Sequence, residues 1–206
     1  LRCYWCHNPE GLSPEPELQV FPRLCTACGA CVTVCPEGAQ MLAEGRREFR
    51  RELCRGCGRC VHECLAGALV LAGRRMSVAQ VMEPILADRP FYEKSGGGVT
   101  LSGGEPLLQP KFAAALLEAC RREGLHTAIE TAGHCAWGVL ERILPLVDLV
   151  MMDLKHMDCE LHRLATGAGN ELLLENARRL AATPTPLLFR VPVVPGVNDT
   201  PRAIGA

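Results

Sequence analysis

The sequence has few aromatic residues, almost no net charge and no long hydrophobic run. Phe, Trp and Tyr make up 4% of the 206 residues, and the formal net charge is -1. This charge gives no reason to propose nucleic acid or an anionic membrane as a partner. No apolar run reaches the roughly 18 residues that a membrane span needs, and no signal peptide opens the chain. With 48% hydrophobic residues, the chain is instead expected to fold around one good-sized core.

Nucleotide-binding motifs are also missing. Residues 96–101 read Gly-Gly-Gly-Val-Thr-Leu, which is not the Gly-x-Gly-x-x-Gly pattern of dinucleotide-binding folds. No Gly-Lys-Ser/Thr sequence closes a phosphate-binding loop. The sequence therefore supports neither a dinucleotide-binding enzyme nor a nucleoside triphosphatase.

Thirteen cysteines are the one unusual feature of the composition. In a small secreted protein such a number indicates disulfide bonds, but a chain of this length and apolar content does not need them. The cysteines also recur at regular short spacings, which disulfide frameworks seldom show. We therefore expect a reducing, cytoplasmic location in which most of the thiols bind metal.

Two runs of four cysteines repeat the spacing Cys-x-x-Cys-x-x-Cys-x-x-x-Cys over residues 25–35 and 54–64. Bacterial two-cluster ferredoxins have this spacing: three cysteines of each run bind one [4Fe–4S] cluster and the fourth binds the other. This crossing rule predicts two ligand sets: Cys25, Cys28, Cys31 and Cys64 for one cluster, and Cys54, Cys57, Cys60 and Cys35 for the other. Zinc is the alternative, but it favours two separated Cys-x-x-Cys pairs.

A further pair of cysteines, Cys3 and Cys6, opens the chain in the sequence Leu-Arg-Cys-Tyr-Trp-Cys-His-Asn-Pro-Glu. Alone, such a pair fits a redox dithiol, half of a zinc site or part of an iron–sulfur site. The three remaining cysteines, at 120, 135 and 159, have no partner spacing and are not expected to be ligands.

From residue 76 onward the sequence alternates between helical and strand patterns. Helices are predicted from the N-cap Ser77 to about residue 88, over 110–123, over 137–146 and from the N-cap Asn170 to about residue 182. Strands are predicted over 98–102, 125–131, 148–155 and 187–194. Residues 11–22 contain several prolines and are interpreted as a connector. Strand–helix alternation with short links predicts an α/β fold with a parallel sheet.

Polar or glycine-rich residues lie at or near the C-terminal end of each predicted strand. They are the Ser-Gly-Gly-Glu-Pro turn at 102–106, Glu130 with Thr131, Asp153 with Lys155, and Arg190. Parallel barrels and open α/β sheets place their active sites at this edge. Any one of these residues could be a solvated loop residue, but four groups along successive strands predict a site.

These motifs together resemble radical S-adenosylmethionine (SAM) enzymes, and within them the activating enzymes of glycyl-radical enzymes, such as pyruvate formate-lyase activase. In that superfamily a Cys-x3-Cys-x2-Cys loop holds a [4Fe–4S] cluster. Cys3 and Cys6 match its second and third cysteines, and Trp5 its aromatic position. The first cysteine would lie two residues before Leu1, so we expect a trimmed chain that builds this site only in part.

The resemblance also implies where SAM binds. The Gly-Gly-Glu-Pro turn would bind the methionine amino group, and the following strand ends would position the carboxylate and ribose, partly through a monovalent cation. The implied residues are Gly103, Gly104 and Glu105 in the turn, Glu130, Thr131, Met151 and Asp153 around the cation, and Lys155 and Arg190 as further SAM contacts. Relatives have aspartate where this chain has Glu130.

The implied fold is a partial (β/α)6 TIM-like barrel with an inserted ferredoxin-like domain. We expect the radical SAM cluster loop and connector at 1–22, the insert with two auxiliary [4Fe–4S] clusters at 23–72, and the barrel at 73–206, its first and last strands lying outside this chain. Such an insert resembles that of the activases of glycyl-radical dehydratases, decarboxylases and amine lyases, whereas pyruvate formate-lyase activase lacks it.

The implied activity is that of an anaerobic oxidoreductase, a glycyl-radical enzyme activase. Its reduced cluster cleaves SAM, and the resulting 5′-deoxyadenosyl radical removes a hydrogen from a glycine Cα of a partner enzyme. The implied partners are that glycyl-radical enzyme and an electron donor such as flavodoxin or ferredoxin. Two alternatives remain: a ferredoxin-like electron carrier, which explains only residues 23–72, and a radical SAM enzyme with another substrate.

Overall fold

A computed structural model describes residues 1–205 of the chain. They form two compact units: Leu1–Leu12 together with the chain from Met76 onward, and Ser13–Arg75. Within residues 1–205, no helix has the length and apolar character needed to cross a membrane. The functional division into a cluster loop at 1–22, an insert at 23–72 and a barrel at 73–206 stays a prediction.

The unit Ser13–Arg75 is built from two antiparallel strand pairs and two one-turn helices. Its elements are β1 (Glu17–Val20), α1 (Ala30–Thr33), β2 (Gln40–Ala43), β3 (Arg46–Phe49), α2 (Arg59–His62) and β4 (Leu69–Ala72). Strand β1 pairs with β4, so that Glu17 lies opposite Ala72, and β2 pairs with β3. Strand β1 lies in the segment that the sequence analysis interpreted as a connector, and its partner comes from the far end of the unit.

The two cysteine runs in this unit adopt the same local backbone. Gly29 (φ 78°) precedes α1 and Gly58 (φ 75°) precedes α2, both in the left-handed region that glycine enters without a Cβ penalty. Cys31 and Cys60 follow inside these helices and are both buried, next to Leu18 in a small apolar core. The sequence repeat is therefore also a structural repeat.

The first unit is an α/β structure with a parallel sheet, as the sequence predicted. After residue 76 its elements are α3 (Val78–Ala87), α4 (Arg89–Ser95), β5 (Gly98–Leu101), α5 (Pro110–Arg122), β6 (His126–Thr131), α6 (Trp137–Ile143), β7 (Leu149–Asp153), α7 (Cys159–Thr166), α8 (Glu171–Ala181), β8 (Leu187–Arg190) and α9 (Pro201–Ile204). The four strands of the sheet lie in the order β5-β6-β7-β8, and every neighbouring pair is parallel.

The predicted start of α3 is confirmed in detail. The Ser77 hydroxyl accepts a hydrogen bond from the Gln80 amide at 3.3 Å, and the Ser77 amide donates to the Gln80 side chain at 2.8 Å. This reciprocal pair satisfies two of the amides that a helix leaves unpaired at its start. Asn170 does precede α8, but its side chain donates to the carbonyls of His156 and Met157 instead of capping the helix.

Other predicted bounds were wrong or incomplete. Helices α4, α7 and α9 of this unit were not predicted at all. Strand β8 ends at Arg190 and not near residue 194, because Pro192 and Pro195 have no amide hydrogen for a strand ladder.

The core of the first unit lies between the sheet and helices α5, α6 and α8. Its largest cluster includes Leu117, Ile129, Leu140, Met152 and Leu173, each 1% exposed or less. Burying a large apolar side chain of this kind stabilises a fold by about 1.5–3 kcal/mol. Because helices pack against the middle of the sheet, the C-terminal ends of its strands stay free to carry polar residues.

Candidate functional site

The strand ends of the parallel sheet bring charged side chains together. Arg190 on β8 contacts Glu130 on β6 (Nη1 to Oε2, 2.8 Å) and Asp153 on β7 (Nε to Oδ1, 3.5 Å). Lys155 also contacts Asp153 (Nζ to Oδ2, 2.7 Å), and the Ser102 hydroxyl donates to Glu130 at 3.0 Å. The predicted residues therefore form one polar cluster of two carboxylates and two cations at one edge of the sheet.

Glu105 in the Gly-Gly-Glu-Pro turn is tied to the end of β6. Its Oε1 atom accepts hydrogen bonds from the Thr131 hydroxyl at 2.7 Å and from the Leu107 amide at 3.1 Å. Its Oε2 atom accepts one from the Ala132 amide at 2.9 Å. Because both carboxylate oxygens have protein partners, Glu105 fixes the shape of the turn, and the two glycines before it are exposed.

The two glycines of this turn have different roles: Gly103 adopts a backbone conformation that favours glycine, and Gly104 lies too close to a neighbouring segment for a side chain. Gly103 has a φ of 113°, which side-chain-bearing residues rarely adopt. A Cβ atom on Gly104 would lie 2.3 Å from the carbonyl oxygen of Gly11, which is much closer than atoms can approach. The segment that follows the Cys3–Cys6 loop thus packs backbone to backbone against the turn.

The Cys3–Cys6 loop forms a tight turn close to the charged cluster. The Cys6 amide donates to the Cys3 carbonyl at 3.0 Å, and the rings of Tyr4 and Trp5 meet edge to face at 5.0 Å. Burial raises the pKa of the Cys3 thiol, and the positive charge of Lys155 partly offsets that rise. Lys155 therefore favours the thiolate form of Cys3, the form that binds metal.

The loop is anchored on the C-terminal turn of α7. The Arg2 amide donates to the Thr166 carbonyl at 2.7 Å, and the Tyr4 amide donates to the Ala165 carbonyl at 3.2 Å. A helix leaves its last carbonyls without partners inside the helix, so these bonds complete α7 and fix the loop together. Helix α7 was not predicted from the sequence, and neither was this anchor.

His162, fully buried in α7, supports this anchor. Its Nδ1 atom lies 2.6 Å from the Ala168 carbonyl oxygen, and burial lowers its pKa, so the ring is neutral and donates its Nδ1 hydrogen. The bond holds the chain just beyond the helix end in place. The sequence signals for α7 are Asp158, whose side chain caps the helix by accepting from the Leu161 amide, and Gly167, which ends the helix in the left-handed conformation.

Asn198 is a second residue that the sequence analysis missed. It is 2% exposed, and its side-chain amide donates to the carbonyls of Lys155 at 3.0 Å and Pro192 at 2.8 Å. Its side-chain oxygen accepts from the Val194 amide at 2.7 Å. Asn198 thus replaces the missing strand ladder after β8 and holds the backbone of Lys155.

Replacing Asn198 with leucine is expected to lower the free energy of unfolding by about 2–3 kcal/mol, because three part-buried backbone groups lose a partner at about 1–3 kcal/mol each before relaxation and rehydration. Urea unfolding of the two proteins measures the difference. The neighbouring exposed Asp199 supplies the control, since Asp199→Ala is expected to change stability by no more than about 0.5 kcal/mol. Equal stability of Asn198→Leu and the unchanged protein would contradict this role.

In the unit Ser13–Arg75, the structure brings the two cysteine runs together in the crossed arrangement. One cavity of about 220 Å³ is lined by Cys25, Cys28, Cys31 and Cys64. A narrower cavity of about 20 Å³ is lined by Cys35, Cys54, Cys57 and Cys60. Each cavity therefore receives three cysteines from one run and the fourth from the other.

The residues around both cavities suit an iron–sulfur cluster. Thiolates are the ligands that iron–sulfur clusters require, and each cavity offers four of them. The first cavity has room for a bulky group. The cysteine run beside the second cavity has the same local backbone, but it encloses a smaller space. Burial raises the pKa of the Cys31 and Cys60 thiols and so favours their protonated form without metal. Binding to metal would stabilise the thiolate form.

Comparison with protein families identifies the class of this chain. Residues 50–203 match the model of the radical SAM superfamily, and residues 24–72 match the model of a 4Fe-4S dicluster domain. The first match covers well over half of the chain. The chain belongs to the radical SAM superfamily.

Its curated relatives are activating enzymes. The chain is 46% identical to the (2S)-3-sulfopropanediol sulfolyase activating enzyme of Bilophila wadsworthia, over 99% of this chain and 69% of the relative. It is 41% identical to the (2S)-3-sulfopropanediol dehydratase activating enzyme of Klebsiella oxytoca (97% of this chain, 64% of the relative) and to the benzylsuccinate synthase activating enzyme of Thauera aromatica (100% and 64%). The resemblance to glycyl-radical enzyme activating enzymes is confirmed.

A solved structure supports the same assignment. A domain of the pyruvate-formate lyase-activating enzyme from Bacteroides vulgatus is 37% identical to the chain, with a TM-score of 0.50, covering 52% of this chain and 67% of that domain. The chain spans about two thirds of the length of the curated relatives it matches.

Proposed function

We propose that this chain is part of a glycyl-radical enzyme activase, which cleaves SAM reductively and removes a hydrogen atom from a glycine Cα of a partner enzyme. The observation that carries the proposal is the packing of the cysteine loop segment against the Gly-Gly-Glu-Pro turn, where a Cβ on Gly104 would meet Gly11. That packing supports a site in which cluster ligands and SAM ligands act together. The curated relatives, all named as activating enzymes, support the type of partner.

The residues of the site have distinct roles in this proposal. Cys3 and Cys6 would hold the [4Fe–4S] cluster, with Trp5 shielding the loop. The backbone of Gly103 and Gly104, shaped by Glu105, would accept the SAM amino group. When bound, the reduced cluster and SAM supply the 5′-deoxyadenosyl radical, and the protein supplies orientation and exclusion of water.

The charged cluster at the strand ends would orient the rest of SAM. Arg190 and Lys155 offer charged donors that suit the methionine carboxylate, and their contacts with Glu130 and Asp153 keep them in position. A monovalent cation would bind oxygen ligands from Glu130, Thr131, Met151 and Asp153. The register, which places Glu130 beside Met151 on neighbouring strands, supports this grouping.

The finer features of the fold belong to the same proposal. The four parallel strands would form part of a (β/α)6 barrel, and residues 23–72 would form a ferredoxin-like insert with two auxiliary [4Fe–4S] clusters that pass electrons inward from flavodoxin or ferredoxin. The two cavities with four cysteines each support the cluster number. A protein that holds all three clusters should contain about twelve iron atoms.

The decisive experiment uses the whole gene product that contains this chain, purified and reconstituted without oxygen. Incubation with SAM, dithionite and a candidate glycyl-radical enzyme is expected to yield 5′-deoxyadenosine and, by electron paramagnetic resonance (EPR), a glycyl-radical doublet on the partner. A preparation that contains its clusters but forms no 5′-deoxyadenosine would favour the electron carrier. 5′-Deoxyadenosine without a doublet on the partner would favour a radical SAM enzyme with another substrate.

A further inference from the structure

A hydrogen-bonded pair of side chains joins the two cysteine-lined cavities. Arg47 on β3 lies in the wall of the cavity of Cys25, Cys28, Cys31 and Cys64, called here the first cavity. Gln40 on β2 lies in the wall of the other, the second cavity. The Arg47 Nη1 atom donates to the Gln40 Oε1 atom at 2.6 Å, so one contact reaches from the first cavity to the second.

Gln40 is directed at a cysteine sulfur of the second cavity. Its side chain is buried, with the residue 2% exposed, and its Nε2 atom lies 3.8 Å from the Cys60 Sγ atom. The bond from Arg47 occupies the side-chain oxygen, which fixes the orientation of the amide and leaves its N–H groups to the sulfur. Hydrogen bonds to ligand sulfurs are one of the means by which proteins set the potential of an iron–sulfur cluster.

Arg47 places a permanent positive charge at the first cavity. Its Nε atom is buried and has no hydrogen-bond partner among the described residues, although the residue as a whole is half-buried. Arginine stays charged at any pH a protein tolerates, and a buried charge needs a counter-charge. Within residues 1–205 its hydrogen-bond partner is the neutral Gln40 and it makes no ion pair, so its charge is available to a group bound in the cavity, whose wall also carries Glu63.

We propose that Arg47 and Gln40 set the reduction potentials of the two auxiliary clusters, Arg47 through its charge at the first cavity and Gln40 through its N–H···S bond at the second. The inference rests on the proposal that both cavities hold clusters. Reduction adds negative charge to a cluster, so a nearby cation or N–H donor stabilises the reduced form and raises the potential. The Arg47–Gln40 bond couples the two effects, because losing Arg47 also frees the amide of Gln40.

The two cavities differ in how many donors they have. The Ala39 amide lies 3.2 Å from the Cys35 sulfur, and the Gly56 amide lies 3.5 Å from the Cys54 sulfur, both at the second cavity. Gln40 is therefore one of three donors there, and the other two are backbone groups that no side-chain substitution removes. Arg47 acts by a full charge at the first cavity, so its loss is expected to have the larger effect.

The test is an EPR-monitored redox titration of the anaerobic whole gene product, in a Cys6→Ala background that removes the signal of the third cluster. Arg47→Leu is expected to disfavour reduction of the first-cavity cluster about tenfold, which for one electron is a downward shift of about 59 mV, and to shift the second by less. Gln40→Leu is expected to disfavour reduction of the second-cavity cluster by less than tenfold and to leave the potential of the first-cavity cluster unchanged. Arg47→Lys should restore the first potential, since it keeps the charge.

Two controls accompany this titration, one for the charge of Arg47 and one for the cluster content. Arg46→Leu removes an exposed charge next to Arg47 on the same strand, and it is expected to leave both potentials unchanged. Iron and sulfide analysis of each variant shows whether both clusters are present. Unchanged potentials in cluster-replete Arg47→Leu and Gln40→Leu would overturn the inference and leave the proposed activity intact, whereas an unsubstituted protein without clusters in the insert would overturn both.

Discussion

Replacing Cys6 with alanine is expected to reduce SAM cleavage by the whole gene product to background. The proposed cluster binds SAM through an iron atom, so the loss of a cysteine ligand removes both the electron source and the anchor for the substrate. The Cys6 amide also closes the turn on the Cys3 carbonyl, and alanine keeps that bond. The turn should therefore survive while the cluster is lost. The measurement is 5′-deoxyadenosine formed with dithionite, together with the iron content.

The control for Cys6→Ala is Cys159→Ser. Cys159 begins α7, and its side-chain contacts are with Glu171 and Arg163, neither of which is proposed to bind metal. Cys159→Ser is expected to keep full activity and full iron content, whereas Cys6→Ala should lose about four iron atoms, those of one [4Fe–4S] cluster. If the Cys6→Ala variant still cleaves SAM at an appreciable rate, Cys6 is not a ligand of the cluster that cleaves SAM.

The second large effect is expected from Gly104→Ala, which should lower the rate of SAM cleavage about a hundredfold. The added Cβ would lie 2.3 Å from the Gly11 oxygen, so the turn and the cysteine loop segment must move apart by roughly 1 Å. Misplacement of reacting groups by that distance costs about 10²-fold in rate. Assays of 5′-deoxyadenosine formation and of SAM binding measure the loss, and an iron content equal to that of the unchanged protein would show that the clusters remain.

Gly138→Ala is the matched control for Gly104→Ala. Gly138 is exposed in helix α6, and a Cβ there would meet nothing within 4 Å. The substitution is expected to leave SAM cleavage unchanged and to raise stability by up to about 1 kcal/mol, the difference between alanine and glycine in a helix. If Gly104→Ala behaves like Gly138→Ala, the close approach to Gly11 is not required for the reaction.

The parallel sheet and its polar strand ends were predictable because both depend on local patterns. Apolar runs and short links predict the strands, and the polarity of Glu130 and Asp153 stands out at the end of such runs. The pairing of these carboxylates with Arg190 could not be predicted. It depends on the register between strands that are distant in sequence, which only the packed sheet defines.

The supporting residues were not predictable for a different reason. Buried polar residues such as Asn198 and His162 satisfy backbone groups from segments that carry no motif of their own. Their partners are carbonyl and amide groups, which every residue has, so the sequence contains no specific signal for the contact. Gln40 and Arg47 are a different case: their side chains bond to each other, but they meet only after β2 and β3 pair.

The antiparallel pairing of β1 with β4 has a consequence for how this protein could be rearranged. Because Glu17 lies opposite Ala72, the polypeptide leaves the unit Ser13–Arg75 beside the point where it entered. Because its two ends lie side by side, the folded module connects the flanking segments as a short loop would, although it contains many residues. The loop-closure entropy that it costs the rest of the chain is therefore that of a short loop. Deleting the module or grafting it into another turn should therefore be possible with a linker of a few residues, which would make the clusters proposed for this unit an exchangeable part of the protein.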